Sequence, residues 1–222
     1  MTRHLQTELD NLKKELLHIA SMVEHATEKA LVALVERRGE LAQEVIDEDD
    51  LINDKEVRIE EECLKILALY QPVANDLRFV ITVLKVNNDI ERVGDLAVNI
   101  AERACYLSTR EMLDVSIDLP EMVSDVMEML RGSLDALTQK DTGLARRIIA
   151  MDDKVDEANR KVYTILQQLM QKNPDTIKRA LHLLSTSRHL ERIADMATNI
   201  CEDVVYMVEG EVIRHQAAIF MD

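Results

Sequence analysis

Glu91, Asp95, Asn99 and Glu102 follow one another at steps of four, four and three, and Glu191, Asp195, Asn199 and Glu202 repeat those steps at an offset of 100. With Glu91 at zero on a helix, Asp95 falls at about 40°, Asn99 at about 80° and Glu102 at about 20°, one narrow stripe. Val93, Ala97, Ile100, Ala104 and Leu107 gather on the opposite face, which is the core side. No Lys or Arg stands in either stripe, although carboxylates one turn apart repel unless something neutralises them. The oxygens of such a stripe are hard donors. They suit Mg²⁺, Mn²⁺, Ca²⁺ or iron, with zinc also among the candidate divalent or transition metals.

A second helix must stand beside each stripe. Val80, Ile81 and Leu84 share its angular sector upstream, as do Ala180, Leu181 and Leu184 in the repeat, and these apolar residues want cover. A hairpin turning near residue 74 brings Asp49 beside Asn99 and Asn53 beside Asp95, with Glu56 and Glu60 on the same side. One turning near residue 174 brings Asp152 and Asp156 next to Asp195. The candidate metal ligands are therefore Glu91, Asp95, Asn99 and Asp49 in the first set, and Glu191, Asp195, Asn199, Asp152 and Asp156 in the second. Each stripe runs for about 16 Å, enough for more than one ion. A plain solvated face would also carry charges at helical spacing, but it need not duplicate them at fixed offsets.

The elements that position these residues are all helical. Five glycines and three prolines in 222 residues are too few to supply the turns of a sheet protein. Leu5, Leu9, Leu12, Leu16, Ile19, Val23, Ala26 and Ala30 mark a first long helix, which Gly39 suits as its end. Val45, Ile52, Ile59, Cys63 and Ile66 mark a second, running up to Pro72. A third is capped by Asn75-Asp76 and runs past Tyr106. After a polar break at 108–120 the plan repeats: a helix from Pro120 to Gln139, one from Thr142 to Gln171, and one from Asn173-Pro174-Asp175 to Glu209-Gly210. The expected fold is all-α, two tandem three-helix bundles of six helices related by a pseudo-two-fold internal repeat, with residues 1–110 and 111–222 as the two units. The chain closes on an apolar AAIFMD.

Composition narrows the function. Forty-two acidic residues against 27 basic, a net charge of -15, argue against nucleic acid and anionic membrane as partners. No apolar stretch approaches the ~18 residues of a membrane span, and the charged N-terminus lacks the core of a secretory signal, so a cytoplasmic protein is expected. Cys63, Cys105 and Cys201 are far apart in apolar patterns and read as core thiols. The Glu15/His18 pair lacks the partners a di-metal oxidase needs, and His189 points toward the core side. The methionines from Met122 to Met207 read as core filler. There is no phosphate loop or nucleophile motif, so no catalytic residue is assigned.

QPVANDLR (71–78), NNDIERVGDLAVNIAE (87–102) and RHLERIADMATNICEDVVYMVEG (188–210) resemble the PhoU family over essentially the whole chain. That resemblance implies a cytoplasmic, usually dimeric, non-enzymatic regulator of bacterial phosphate uptake. It would be a negative regulator that links the ATPase subunit of the phosphate ABC transporter to a membrane sensor histidine kinase. It also implies metal clusters at the two ExxxD motifs of some members. Two departures stand out: Asn53 occupies a place where the family often has Asp, and Leu96 and Met196 follow the aspartates where a His is frequent. A helical metalloprotein with a redox or storage role is the alternative.

Overall fold

The computed structural model describes residues 3–213, all helix and connection with no strand among them; the AAIFMD ending lies outside the described residues. The helices are α1 (Arg3–Val35), α2 (Gly39–Tyr70), α3 (Ala74–Ser108), α4 (Leu119–Gln139), α5 (Thr142–Ile149), α6 (Asp152–Lys172) and α7 (Ile177–Glu209). Each apolar position named above for the first helix is buried, as are Val45, Ile52, Ile59, Cys63 and Ile66 of α2. Period and burial agree because a stripe at i, i+3, i+4 and i+7 is what a helix can hide against two neighbours.

The six-helix plan stands with one amendment. The second helix of the second unit is cut at Ala150–Met151 into α5 and α6. At the cut the Met151 N–H reaches only to the Ile148 carbonyl, at 3.0 Å, so the turn tightens before α6 restarts. The restart puts Asp152 and Asp153 in the first turn of α6, where the helix dipole favours carboxylates.

Two terminal expectations are corrected. Gly39 opens α2 rather than closing α1, and the left-handed residue between the helices is Arg37, at φ 58°. The glycine serves a close approach: a Cβ there would lie 2.9 Å from Ser108 Oγ at the end of α3. Asn75 and Asp76 fall inside α3, whose N-cap is Val73 in extended conformation. The Asn75 carboxamide oxygen accepts from Arg78 at 2.6 Å instead of capping. Asp118 and Asp141 do cap α4 and α5, accepting from Glu121 N–H at 3.2 Å and Leu144 N–H at 2.9 Å. Gly210 ends α7 at φ 78°, as its position suggests.

One apolar core runs from Leu5 to Met207 through both units. At its centre α3 and α7 lie antiparallel. Lys85 Nζ reaches Asp203 Oδ1 at 3.2 Å near one end of the seam, and Tyr106 stacks on His182 at 3.8 Å near the other. Cys63 and Cys201 are buried free thiols and Cys105 is half-buried; burial pushes the Cys63 and Cys201 thiols up to about 12. Met122, Met127, Met129 and Met207 are core residues. No helix among the described residues is long and apolar enough to cross a membrane.

Candidate functional site

The core face of α3 fixes which way its polar stripe points. Val93, Ala97, Ile100, Ala104 and Leu107 are all buried, so Glu91 and Asp95 emerge along the α2 border. The register between α2 and α3 is pinned one turn from the site, where Asn87 Nδ2 donates to the Glu56 carbonyl at 3.0 Å and to its Oε1 at 3.2 Å. In the second unit Ser187 Oγ on α7 donates to Asn159 Oδ1 on α6 at 2.7 Å, at the corresponding level. These paired links place Asp49 opposite Asp95 rather than opposite Asn99. The sequence-based register was out by about one helical turn, because the α2 helix ends at Tyr70 and Pro72 tightens the reversal.

In the first unit Asp49, Glu91, Asp95 and Glu56 form one electrostatic group. Burial raises Asp49, and the Asp95 and Asp50 charges add to it, while a hydrogen bond from Asn53 opposes. Burial also raises Glu91, with Asp95, Glu56 and Asp49 adding and Arg92 opposing. Glu56 is raised by burial and then by Glu60. Asn53 Nδ2 donates to Asp49 Oδ2 at 3.1 Å. That leaves Asp49 Oδ1 and Asn53 Oδ1 as buried acceptors with no hydrogen-bond donor among the described residues.

The second unit is more charged. Asp156 stands where the first has Asn53. Burial, then Asp195, Asp156 and Asp153, lift Asp152 to about 6. Burial, then Glu191 and Asp156, lift Asp195 to about 6 against the pull of Arg192. Glu191 is raised by burial and by Asp156, with Arg188 opposing. Burial is the first cause in both units, and the units differ at two places: Asn53, whose amide donates to Asp49, is replaced by Asp156, a carboxylate that repels its neighbours, and Glu56 is replaced by Asn159. Position at the start of α6 does not rescue Asp152, because desolvation outweighs the dipole.

Three of the assigned residues, Asn99, Asn199 and Asp156, sit differently, as does Glu102 of the stripe. Asn99 and Asn199 do not hydrogen-bond the carboxylate groups. Asn99 Nδ2 donates to the Asp95 backbone carbonyl at 2.7 Å. Asn199 points into the seam between the units, lining a cleft of about 680 Å³ with Lys85, Asn88 and Arg92. Its angular position on α7 was right, but a wheel drawn for one hairpin cannot show the helix of the other unit. Glu102 and Asp156 meet bases: Arg103 at 2.8 Å and Arg160 at 3.0 Å. Glu56, by contrast, joins the first group and was legible only as a flanking residue of α2.

Chemically the groups fit a hard cation. Two orphaned acceptor oxygens in the first unit, and two carboxyls held near 6 in the second, are groups a cation would relieve. Among the described residues no three His, Cys, Asp or Glu side chains stand close enough to hold an ion as placed, so side-chain rotation has to complete either set. Glu15 and His18 are exposed on α1, and Glu15 is paired with Lys55. His189 is half-buried beside the Ser185 hydroxyl at 3.0 Å, as its position toward the core predicts.

The geometry has close counterparts among known proteins. A family model described as "PhoU domain" matches residues 16–104 and again 119–204. The chain is 42% identical over 209 residues to the phosphate-specific transport system accessory protein PhoU homolog of Aquifex aeolicus, covering 94% of this chain and 95% of that one. It is 36% identical over 216 residues to the Pseudomonas aeruginosa homolog, covering 97% and 89%. The crystal structure of PhoU from Pseudomonas aeruginosa superposes with a TM-score of 0.90 at 37% identity, over 93% of this chain and 99% of that one. That of the phosphate transport system regulatory protein PhoU from Streptococcus pneumoniae gives 0.82 at 31% identity, over 94% and 98%. Repeat, fold and sequence agree along the whole length: this chain belongs to the PhoU family.

Proposed function

We propose that this protein is a non-enzymatic regulator of phosphate uptake that acts in the cytoplasm as a homodimer. It restrains the phosphate-starvation response by linking the ATPase subunit of the phosphate ABC transporter to the sensor histidine kinase. The observation that carries this reading is the full-length likeness to accessory proteins of phosphate-specific transport. The two carboxylate groups are the metal-binding part of the proposal, with Asp49, Glu91 and Asp95 in one and Asp152, Asp156, Glu191 and Asp195 in the other. A bound cation would supply the positive charge that lets these carboxylates ionise together. The protein's own residues do the rest: the helix pairs hold the oxygens half-buried in every member but Asp95, which is exposed, and Asn53 orients Asp49 through its amide.

A binding experiment tests the regulatory claim. Purified protein is expected to retain the transporter ATPase and the sensor kinase under phosphate-replete conditions, and loss of the protein should switch on a phosphate-starvation reporter. Retention of neither partner, with a silent reporter, overturns it.

A further inference from the structure

We propose that the cleft where α1 crosses α4 is the docking groove for a basic amphipathic helix of a partner protein. The cleft has a volume of about 670 Å³ and is floored by Leu31, Val32, Val35, Val123 and Met127. Val35 is 45% exposed, although Leu31 and Leu34 beside it on α1 are buried. Gly132 keeps the floor low: a Cβ there would lie 2.3 Å from Ile148 Cδ1, so the α5 side chain comes up beneath the groove in its place. A flexible thioether in such a floor adapts to an incoming apolar side chain.

The rim decides the occupant. Glu28, Glu36, Glu128 and Asp135 border the cleft, and Arg131 is the one base among the described residues lining it. Arg131 is already committed, to Glu24 and to Glu28 at 3.0 Å each. Glu128 and Asp135 make no ion pair or side-chain hydrogen bond among the described residues. An apolar trough with an acidic rim is complementary to a helix with leucine-like residues on one face and Lys or Arg beside them. The lining of α4 from Pro120 to Asp135 measures about 23 Å, the length of some 15 helical residues. Next to the cleft, sharing Val35 and Pro120, lies a smaller cavity of about 290 Å³ lined by Leu113, Val115 and Ile117. It would take one large apolar anchor at the end of that helix. The cleft on the opposite seam differs: Lys85 and Arg92 share it with Asp89 and Glu202, and that mixed rim selects neither sign.

The test uses the full chain and a labelled amphipathic peptide of about 14 residues, Leu on one face and Lys on the other. Binding is expected by fluorescence anisotropy, with a shift of the Met127 methyl resonance. A peptide of the same composition with its Leu residues scattered should leave that resonance unmoved. Glu128→Lys/Asp135→Lys is expected to weaken binding by about tenfold. Asp54→Lys/Glu61→Lys, an equal charge change on exposed positions of α2, should leave it within about twofold. Equal losses in both doubles, or an unmoved Met127, overturn the proposal, since each means only a general attraction of cations to an acidic protein. So does a change of oligomeric state in Glu128→Lys/Asp135→Lys by sedimentation, which would make a second copy of the chain the occupant. None of these failures touches the retention of transporter ATPase or kinase, so the two readings fall separately.

Discussion

Asp152 on α6 and Asp195 on α7 are half-buried carboxyls of facing helices, and each is lifted to about 6, by burial before any neighbour. The native state therefore carries protons at a pH where free aspartates have lost theirs. The same direction holds for Asp49, Glu56 and Glu91 in the first unit.

Asp152 and Asp195 should accordingly contribute more stability to the metal-free protein at pH 4.5 than at pH 7, while His182 and His189, both lowered by burial, contribute in the opposite direction. Both folded aspartate values lie above the ~3.9 of an unfolded aspartate, so at these two groups the native state binds more protons than the unfolded one between those limits. Their contribution falls as pH rises from about 4 to about 6 and levels off beyond. The two groups together contribute a fall of about 2–4 kcal/mol once their partial exposure to solvent is allowed for. Urea midpoints across that range measure it, and Asp152→Asn/Asp195→Asn should flatten the curve. A pH profile that Asp152→Asn/Asp195→Asn leaves unchanged contradicts the assignment.

Exchanging Asn53 and Asp156, one of the two differences between the groups, should shift each toward the other. Asn53→Asp removes an amide donor and adds a charge, raising Asp49 further and lowering metal-free stability by about 1–2 kcal/mol. Asp156→Asn should bring Asp152 and Asp195 down. Its lost pair with Arg160, which is 69% exposed at the side chain, matters little. Carboxyl NMR titrations read both shifts directly.

Added Mn²⁺ or Fe²⁺ should raise the melting temperature above pH 6, where the carboxylates are free of protons. At about a hundred times the dissociation constant the gain is ~2.7 kcal/mol. Glu191→Ala/Asp195→Ala should remove most of it and Glu91→Ala/Asp95→Ala a smaller share. Elemental analysis showing no metal above background, together with no thermal gain, counts decisively against these sites.

The two close-approach glycines should respond in opposite ways. Gly132→Ala drives a methyl to within 2.3 Å of Ile148 Cδ1 and 2.8 Å of its Cγ1, so the whole side chain has to move toward the groove it lines, and a loss of about 1–3 kcal/mol is expected despite the better helix former. Gly39→Ala meets Ser108 Oγ at 2.9 Å, a hydroxyl that can rotate at the expense of its 2.8 Å bond to the Cys105 carbonyl, and should stay within about 1 kcal/mol of the parent. Thermal unfolding of the two variants side by side settles the sign.

Lys85→Ala should cost about 1–3 kcal/mol although Lys85 itself is 41% exposed. The reason is its partner: Asp203, at 2% side-chain exposure, loses an ammonium that helps compensate its buried charge. Asp203→Asn in the Lys85→Ala background should recover part of the loss, and chemical denaturation of the three variants gives the coupling.

Much of this was legible in the residues because helices expose their own period. The buried stripe of α1 could be read position by position from Leu5 to Ala30, and the duplicated Glu-Asp-Asn-Glu spacing located both carboxylate groups. What a single helix cannot reveal is who stands opposite. The turn at Gln71-Pro72 set Asp49 against Asp95, and only the Asn87–Glu56 link makes that register visible. Asn199 faces Lys85 and Arg92 of the other unit, a relation between repeats that no periodicity encodes. The cut at Ala150–Met151 was hidden for a similar reason: neither residue breaks helices by type, and the two aspartates after it read as charge before they read as a fresh N-terminus.

The seam between α3 and α7 has the antiparallel geometry by which two identical subunits meet about a dyad. Identical subunits would be bound to present every contact twice. One chain is not: Lys85 meets Asp203, whereas the residues 100 positions away are Ser185 and Arg103, and His182 stacks on Tyr106 where its counterpart is Thr82. Joining the halves has thus released each side of the dyad to specialise, so a substitution can alter one carboxylate group, or one face, without echoing in the other.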